Sequence, residues 1–445
     1  MIELPVDQYQ FPEDWQVVPA NRIAAFARGI SWRKSEEADP PEGILVVSIP
    51  NIKNGSIDFD SKFNHYISKR ITDAKRLRIG DILFVGSSGS IHNVGRNAIV
   101  RHLPSDVVAF ASFTFKASRT DADVDNDFLY YLLNSEFAPF DQFCKRAADG
   151  KFNFQLRQFD SELRVPLPSP EEQRQIARLL SATQRAIEQE ERLIALTTEL
   201  KKSLMHKLFS EGTLGEAQKE TEIGSVPESW DVVPVGDALE LAQYGLSVKG
   251  VESGNYPMLR MTNQVNGRIV PNDLQWVEIS TDDFHKFSVK RGDVLFNRTN
   301  SYELVGRTAI FDLDGDYVFA SYLIRLRVDR DRLDPFFFNH YFNSDTTQQR
   351  LKSIATRAVS QSNISATRLK GFSIPLPTLE EQGEIVSALD VLDTKIAEHE
   401  QCAHAFQCLF RTLLHQLMTA RVRVNDLDLS ELGHEPVAAG LEEAV

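Results

Sequence analysis

The chain has 445 residues with a formal charge of −14, and 42% of them are apolar and 25% charged. This composition is typical of a globular protein and excludes a disordered one. No apolar run approaches the ~18 residues that a membrane span needs, and residues 1–10 lack the features of a secretory signal. Because three cysteines cannot form a disulfide framework, we expect a reducing compartment, the cytoplasm, and no membrane partner.

The negative charge is unevenly distributed along the chain. Residues 424–445 contain six acids and no Lys or Arg. Two other stretches are basic: residues 69–78 hold five Lys or Arg and one acid, and residues 350–370 hold five and no acid. Local basic surfaces on an acidic body are compatible with a polyanionic ligand.

Five motifs occur twice, in the same order and 209–215 residues apart. A period this long excludes a solenoid and indicates a duplicated module. The pairs are Pro12-Glu13-Asp14-Trp15 with Pro227-Glu228-Ser229-Trp230, Gly80–Phe84 with Gly292–Phe296, Val94-Gly95-Arg96 with Val305-Gly306-Arg307, Phe110-Ala111-Ser112 with Phe319-Ala320-Ser321, and Pro166-Leu167-Pro168 with Pro375-Leu376-Pro377. The last pair is followed by Glu171-Glu172-Gln173 and Glu380-Glu381-Gln382.

Each module begins with a globular part of roughly 150 residues. Short β-branched or aromatic runs alternate there with Gly, Pro, Asn and Asp, as at 43–49, 81–85, 107–115, 293–297 and 320–328. This pattern predicts a mixed, strand-rich α/β globule.

Each module ends in a long predicted helix that starts near a proline and an acidic pair. The second copy has apolar residues in alternating steps of four and three, which is a heptad seam: Ile385, Leu389, Leu392, Ile396, His399, Ala403, Phe406, Phe410, Leu413 and Leu417. The first copy follows the seam more loosely, with Thr183, Glu190, Thr197 and Lys201 at seam positions and a neighbouring stripe of Leu193, Leu196 and Leu200.

The two apolar stripes must be buried, either against each other or each on its own globule. The helices could pair in either direction, and a two-fold-like arrangement makes them antiparallel. We therefore predict an α+β protein in which two homologous mixed α/β domains are separated by two long antiparallel coiled-coil helices. The predicted boundaries are 1–169 (domain 1), 170–211 (helix 1), 212–226 (polar linker), 227–378 (domain 2), 379–420 (helix 2) and 421–445 (acidic tail).

Motifs for catalysis are absent from the sequence. It lacks a G-x-x-x-x-G-K-[ST] loop, a G-x-G-x-x-G turn and a G-x-S-x-G elbow, and no Lys follows Ser87-Ser88-Gly89-Ser90. The cluster His399, Cys402, His404 and Cys408 suggests a metal, but it lies inside the heptad helix and lacks a C-x-x-C pair. We favour ordinary helix residues there, and we predict a non-catalytic protein without a metal.

The repeated motifs resemble those of the specificity subunit of type I restriction–modification systems. The most specific match is Pro375-Leu376-Pro377 with Glu381-Gln382, Ile385, Leu389, Leu392-Asp393 and Ile396. The Pro-Glu-x-Trp and Gly-Asp-(Ile/Val)-Leu-Phe motifs are similar to those of its target-recognition domains, and the resemblance covers residues 11–422. The first copy departs from the pattern with Gln184 where the second has Asp393.

The resemblance implies that each globule reads one half of a split site in double-stranded DNA and that the helices fix the gap. It also implies two methyltransferase subunits, which use S-adenosylmethionine, and restriction–translocase subunits, which use ATP and Mg²⁺, as partners, while this chain binds no cofactor. Two alternatives stay open: a specificity subunit of another restriction or defence complex, and a coiled-coil scaffold that binds protein.

Candidate DNA-contacting residues are Lys, Arg, Asn, Gln and Ser on loops, because these types reach phosphates and base edges. In domain 2 they are Arg298, Asn300, Arg357, Ser360 and Gln361. In domain 1 they are Ser87, Ser88, Ser90, Lys151 and Asn153, with Lys69, Arg70, Lys75 and Arg76 on phosphates. Arg96 and Arg307 recur in both copies, which favours phosphate contact or internal pairing over base reading.

Overall fold

The computed structural model describes residues 5–40, 42–357 and 361–429. They divide into a first unit, drawn from residues 1–189 and 402–445, and a second unit, residues 190–401. We call residues 5–169 the first lobe and residues 212–378 the second lobe. Within the described ranges, no helix combines the length and the hydropathy that crossing a membrane requires.

The first lobe is built on a four-stranded antiparallel sheet in the order Ala24–Arg28, Thr114–Arg119, Ile82–Val85, Asn97–Ile99. Its other sheets are His65–Ile67 with Ile44–Val47 and Val108–Phe110, Gln16–Pro19 with Arg164–Leu167, and Cys144–Arg146 with Phe152–Phe154 and Ser87–Ser88. The helices are Ala20–Ile23, Asn126–Leu133 and Leu156–Glu162. The lobe is therefore the mixed α/β globule that the sequence predicts.

The second lobe repeats this arrangement. Its main sheet runs in the order Leu239–Tyr244, Leu323–Val328, Val294–Asn297, Thr308–Ile310, Arg268–Ile269, Gln264–Val265. The smaller sheets are Gln275–Val277 with Tyr256–Leu259 and Val318–Phe319, Asp231–Pro234 with Ser373–Leu376, and Thr299–Asn300 with Ser362–Asn363 and Thr356–Arg357. The helices are Thr281–Phe287, Pro335–Asn343, Asp345–Ser353 and Ala366–Lys370.

Short 3₁₀ turns flank the strands of both lobes, and another, Val424–Asp426, lies outside the lobes. The turns in the lobes are Pro5–Gln8, Lys34–Glu36, Ile49–Asn51, Asp73–Lys75, Ile91–Asn93, Phe140–Phe143, Val235–Ala238 and Met261–Asn263. The predicted linker 212–226 has more structure than we expected, because Gln218–Thr221 and Gly224–Pro227 form an antiparallel hairpin. Gly224 makes the tight turn possible with a φ of 107°, in the region that favours glycine.

The long helices span Pro170–Glu211 and Leu379–Met418. All ten predicted seam residues of the second helix are buried or half-buried, which confirms the heptad. In the second unit, Glu190 contacts His399 and Lys201 contacts Asp393, so the two helices run antiparallel there. In the first unit, the start of the first helix shares a hydrophobic core with Leu417 and Met418 at the end of the second, so the direction is again antiparallel.

Two of the four polar seam residues of the first helix have partners on the second. Glu190 accepts a 2.6 Å hydrogen bond from the ring of His399, and Lys201 forms a half-buried ion pair with Asp393. Such pairs at seam positions fix the register of a coiled coil. The predicted neighbouring stripe was wrong in part, since Leu193 is half-buried but Leu196 and Leu200 are each 57% exposed. Leu196 and Leu200 each lie one residue before a seam position. Because successive residues of a helix are rotated by ~100° about its axis, these side chains point away from the seam and do not reach the other helix.

The repeated Glu-Gln motif ties each helix to its lobe. The indole of Trp15 donates to Glu172 at 3.0 Å, and the indole of Trp230 donates to Glu381 at 2.8 Å. Both carboxylates are buried, so each depends on its hydrogen bonds for stabilisation. The motif therefore sets where each lobe meets its helix.

Candidate nucleic-acid interface

A small polar sheet in the second lobe brings two predicted loops together. We call Thr299–Asn300, Thr356–Arg357 and Ser362–Asn363 the second polar sheet. Thr299 pairs with Asn363 and Asn300 with Ser362, and Ser362 also pairs with Arg357. Two loops that are far apart in sequence thus form one surface with a row of side chains that can donate and accept hydrogen bonds.

The first lobe forms the same sheet from its own loops. We call Ser87–Ser88, Cys144–Arg146 and Phe152–Phe154 the first polar sheet. Asn153 pairs with Ser87 on one side and with Lys145 on the other. Phe154 is fully buried and stacks on Phe115 with 4.8 Å between ring centroids, which anchors this sheet on the core. The structure therefore places three of the five loop candidates of the first lobe, Ser87, Ser88 and Asn153, on one sheet, and two of the second lobe, Asn300 and Arg357, on the equivalent sheet.

The predicted residues of the first polar sheet differ in exposure. Lys151 is exposed on the turn of the hairpin and lies 3.6 Å from Asp149, and Ser88, Ser90 and Asn153 are half-buried. Ser87 is only 6% exposed, so its hydroxyl faces the protein more than the solvent. All five stay predictions as DNA contacts.

Two basic residues of this sheet were not predicted as candidates from the sequence. Lys145 and Arg146 are both exposed on the strand that pairs with Phe152–Phe154. Arg146 lies 5.9 Å from the ring centroid of Phe152. Their adjacency in the sequence was a usable signal, but a strand of three residues gives no periodicity that would place them on a sheet.

The predicted basic stretch of the first lobe lies beside a different segment, residues 28–31. The ammonium of Lys75 donates to the carbonyl of Arg28, and that of Lys69 donates to the carbonyl of Ser31 at 3.1 Å. Arg76 lies 3.5 Å from Asp73, and Arg70 is exposed. These contacts position the stretch next to the strand Ala24–Arg28, whose end leads toward the first polar sheet.

Each lobe presents one arginine beside its polar sheet, but from different strands. Arg298 has its guanidinium 4.7 Å above the ring of Tyr244 and donates to the carbonyl of Ser321 at 3.3 Å. At the equivalent positions of the first lobe, Gly86 stands where the second lobe has Arg298, and Arg28 stands where the second lobe has Tyr244. Arg28 donates to the carbonyl of Phe154 at 2.6 Å, at the end of the first polar sheet.

This exchange explains why the sequence reasoning missed Arg28. A residue-by-residue comparison of the repeats sets a glycine against Arg298 and so indicates that the first lobe has no counterpart. Only the pairing of the strands reveals that Arg28 reaches the same place from the neighbouring strand. The signal in the sequence was the reciprocal Gly–Arg and Arg–Tyr exchange at the two positions.

Two of the remaining candidates of the second lobe are exposed. Arg357 is exposed and stacks on Tyr302 at 3.9 Å from the ring centroid, and Gln361 is also exposed. Asn300 is half-buried and donates to the sulfur of Met261 at 3.1 Å. Ser360 lies outside the described residues.

The two recurrent arginines behave differently. Arg96 donates to the carbonyl of Ile49 at 3.3 Å, which is the internal pairing that we considered for it. Arg307 is exposed. Phosphate contact therefore stays a prediction for Arg307.

A cluster of potential metal ligands lies in the second unit, at His340, Asp390 and Asp393. Lys201 already contacts Asp393, and the guanidinium of Arg268 lies 3.5 Å from Asp390. The hydrogen bond from His340 lowers the pKa of the Asp390 carboxyl. In the first unit the equivalent contact is a neutral one, Tyr131 with Ser181 at 3.0 Å. The arrangement is that of an ion-pair network joining the second lobe to the helices.

Three of the four helix residues that suggested a metal in the sequence have hydrogen-bond partners. His399 is bonded to Glu190, and the Nε2 atom of His404 lies 3.7 Å from the sulfur of Cys408. Cys402 and Cys408 are exposed.

Comparison with known proteins shows that one family model matches both halves of the chain. The family model described as "Type I restriction modification DNA specificity domain" matches residues 12–198 and again residues 227–403. The chain belongs to this family. Each match covers most of one lobe and the first part of the helix that follows it, in agreement with the internal repeat.

Curated relatives carry the same subunit description. The chain is 25% identical to the type I restriction enzyme EcoKI specificity subunit of Escherichia coli, over 95% of this chain and 88% of that protein. It is 23% identical to the StySPI specificity subunit of Salmonella potsdam, over 86% and 83%. It is 32% identical to the putative MjaX specificity subunit of Methanocaldococcus jannaschii, but over only 49% of this chain and 52% of that protein.

Solved structures support the fold. An S subunit of a type I restriction–modification system from M. genitalium superposes with a TM-score of 0.55 at 16% identity, over 91% of this chain and 96% of that one. A chain from a structural study of assembly and conformational transition in the type I system gives 0.51 at 18% identity, over 92% and 99%. The fold is therefore that of the specificity subunits of these systems.

Proposed function

We propose that this chain reads a bipartite site in double-stranded DNA, with one half-site contacted by each polar sheet. The observation that carries the proposal is the recurrence of the same three-stranded polar sheet in both lobes. The sheets share a topology but differ in side chains, for example at the cross-strand pair Ser88–Phe152 of the first, where the second has Asn300–Ser362. Two similar scaffolds with different side chains would read two different short sequences.

The local charge supports DNA as the ligand. Lys145, Arg146 and Lys151 are exposed on or beside the first polar sheet, although the whole chain carries −14. Arg357 is exposed on the second polar sheet, and Arg298 lies at its edge. Such groups neutralise phosphates, so binding should weaken steeply as salt concentration rises. A scaffold that binds only protein would not bind DNA with this dependence on salt concentration.

In this proposal the chain is the non-catalytic subunit of a larger complex. Its partners are two methyltransferase subunits, which use S-adenosylmethionine, and restriction–translocase subunits, which use ATP and Mg²⁺. The chain itself binds none of these cofactors. Leu196 and Leu200, exposed on the helix face opposite the seam, offer an apolar surface to a partner subunit.

The test is to co-express the chain with its methyltransferase subunit and to read methylated motifs across the host genome. The proposal predicts a bipartite motif in which two specified sequences flank an unspecified gap. Asn153→Ala should relax or abolish one half, and Arg357→Ala the other. Lys286→Ala, an exposed lysine on the helix Thr281–Phe287, is the matched control and should leave the motif unchanged. A contiguous motif, or the loss of both halves with one substitution, would contradict the proposal.

A further inference from the structure

Each lobe carries an exposed aromatic ring at the same position of the repeat. Phe113 is 59% exposed and Tyr322 is 47% exposed. Each directly follows the repeated Phe-Ala-Ser motif, whose phenylalanine is fully buried. An exposed ring of this size adds little to the stability of the fold, because most of its apolar surface stays in water.

The two rings are mounted on rigid turns. Thr114 donates its backbone N–H to the carbonyl of Ala111 at 2.9 Å, and Leu323 does the same to Ala320 at 2.9 Å. The residue before each ring is also fixed, since Ser112 donates to Ile30 at 2.7 Å and Ser321 to Leu246 at 2.8 Å. A ring held in this way loses little conformational entropy when it meets a ligand.

Each turn is joined directly to the polar sheet of its lobe. The backbone N–H of Gly86 donates to the carbonyl of Phe113 at 2.8 Å, and that of Arg298 donates to Tyr322 at 3.0 Å. Gly86 and Arg298 are the residues immediately before the strands Ser87–Ser88 and Thr299–Asn300. The rings therefore stand at the edge of the two surfaces to which the proposed function assigns DNA.

An arginine lies at the same edge in each lobe. In the second lobe Arg298 lies between the ring of Tyr244 and the carbonyl of Ser321, the residue before Tyr322. In the first lobe Arg28 donates to Phe154, whose own N–H donates to Gly86. An aromatic ring beside a guanidinium combines an apolar contact with a charge that attracts the DNA backbone.

We infer that Phe113 and Tyr322 contact bases, each within the half-site read by its own lobe. The inference rests on the proposed function and adds an apolar component to the reading surface. Aromatic side chains contact the thymine methyl group or insert at a base step, and both contacts depend on the sequence of the DNA. The ring of each lobe thus contributes to specificity as well as affinity.

The test uses the full chain in complex with its methyltransferase subunits and two duplexes. One duplex carries the motif that the wild-type complex methylates, and the other has a scrambled sequence. Phe113→Ala and Tyr322→Ala should each weaken binding to the first duplex roughly tenfold or more, with a smaller loss on the scrambled one. In the methylation motif, each substitution should relax only one half.

Two kinds of control separate a base contact from a structural role. Phe113→Tyr and Tyr322→Phe keep the ring and should bind within about threefold of the wild type. Ile79→Ala removes a 68% exposed side chain beyond the opposite end of the strand Ile82–Val85 and should have no effect. Thermal unfolding of the alanine variants should match the wild type.

The outcomes distinguish this inference from the function on which it depends. If the wild-type complex methylates a bipartite motif but the alanine variants bind normally, or lose equally on both duplexes, the base contact is refuted and the function stands. If the wild-type complex shows no bipartite motif, the proposed function itself fails.

Discussion

Arg423 should be a main stabilising contact of the first unit, and its removal gives a sharp test of the structure. This residue follows the second long helix and holds two carboxylates. Its Nε and one terminal nitrogen donate to Glu172 at 2.7 and 2.8 Å, and its terminal nitrogens donate to Asp14 at 3.1 and 2.7 Å. Glu172 is 1% exposed and is bonded in addition to the indole of Trp15.

The magnitude follows from the burial of Glu172. Arg423→Ala leaves that carboxylate buried without its cation, which costs about 3–5 kcal/mol for a buried pair. The bonds to Asp14 are exposed and add little. For a unit of this size, each 1 kcal/mol shifts the unfolding temperature by about 2–4 °C, so we expect the transition of the first unit to fall by about 6–20 °C.

The assay is thermal unfolding followed by calorimetry. Arg421→Ala, which removes an exposed cation two residues away, should shift the transition little. Glu172→Gln in the Arg423→Ala background should recover part of the loss, since it removes the uncompensated charge. A shift of less than about 2 °C for Arg423→Ala, or no recovery in the double variant, would refute the reasoning.

Three further predictions concern the arginines beside the polar sheets, the ion pair in the helix seam, and the dependence of stability on pH. Arg298→Ala and Arg28→Ala should each cost about 1–3 kcal/mol of binding to the cognate site in a filter-binding assay, and equal losses on random DNA would make them phosphate contacts. Lys201→Leu should destabilise the second unit by about 2 kcal/mol in denaturant unfolding, and adding Asp393→Leu should restore it, because an apolar pair can replace a buried ion pair. Burial raises the pKa of Tyr131 to about 12. Its contribution to stability is therefore complete below pH ~10 and lost as the pH rises through 12, and Tyr131→Phe should remove this loss in alkaline unfolding.

The duplication of the lobes and the heptad pattern of the helices extend over long stretches of the sequence, so they could be predicted from it. The repeat gave the two lobes, and the heptad gave the second helix, whose seam residues are buried or half-buried as expected. The polar residues at seam positions of the first helix looked like defects in the pattern. Glu190 and Lys201 instead meet His399 and Asp393, a complementarity that becomes visible only when both helices and their direction are known.

The candidate DNA-contacting surface, which consists of the two polar sheets with Arg28 and Arg298 beside them, could be predicted only in outline. Its strands are two or three residues long, too short to show alternation, so the loops were found by composition and their pairing was not. Lys145 and Arg146 were missed for that reason. Arg28 was not predicted as a candidate because the two lobes carry the corresponding arginine on different strands. Ser87 was chosen for its residue type although it is buried.

We propose that the two lobes read separate half-sites and that the paired helices fix the gap between them. The direct test inserts one heptad into both long helices, between Glu190 and Lys201 and between Asp393 and His399, so that each polar pair keeps its partner. Seven residues lengthen a helix by about 10 Å, which corresponds to about three base pairs of DNA. Genome-wide methylation should then show the same two half-sites with a gap about three base pairs longer. An unchanged gap, or altered half-sites, would contradict the claim.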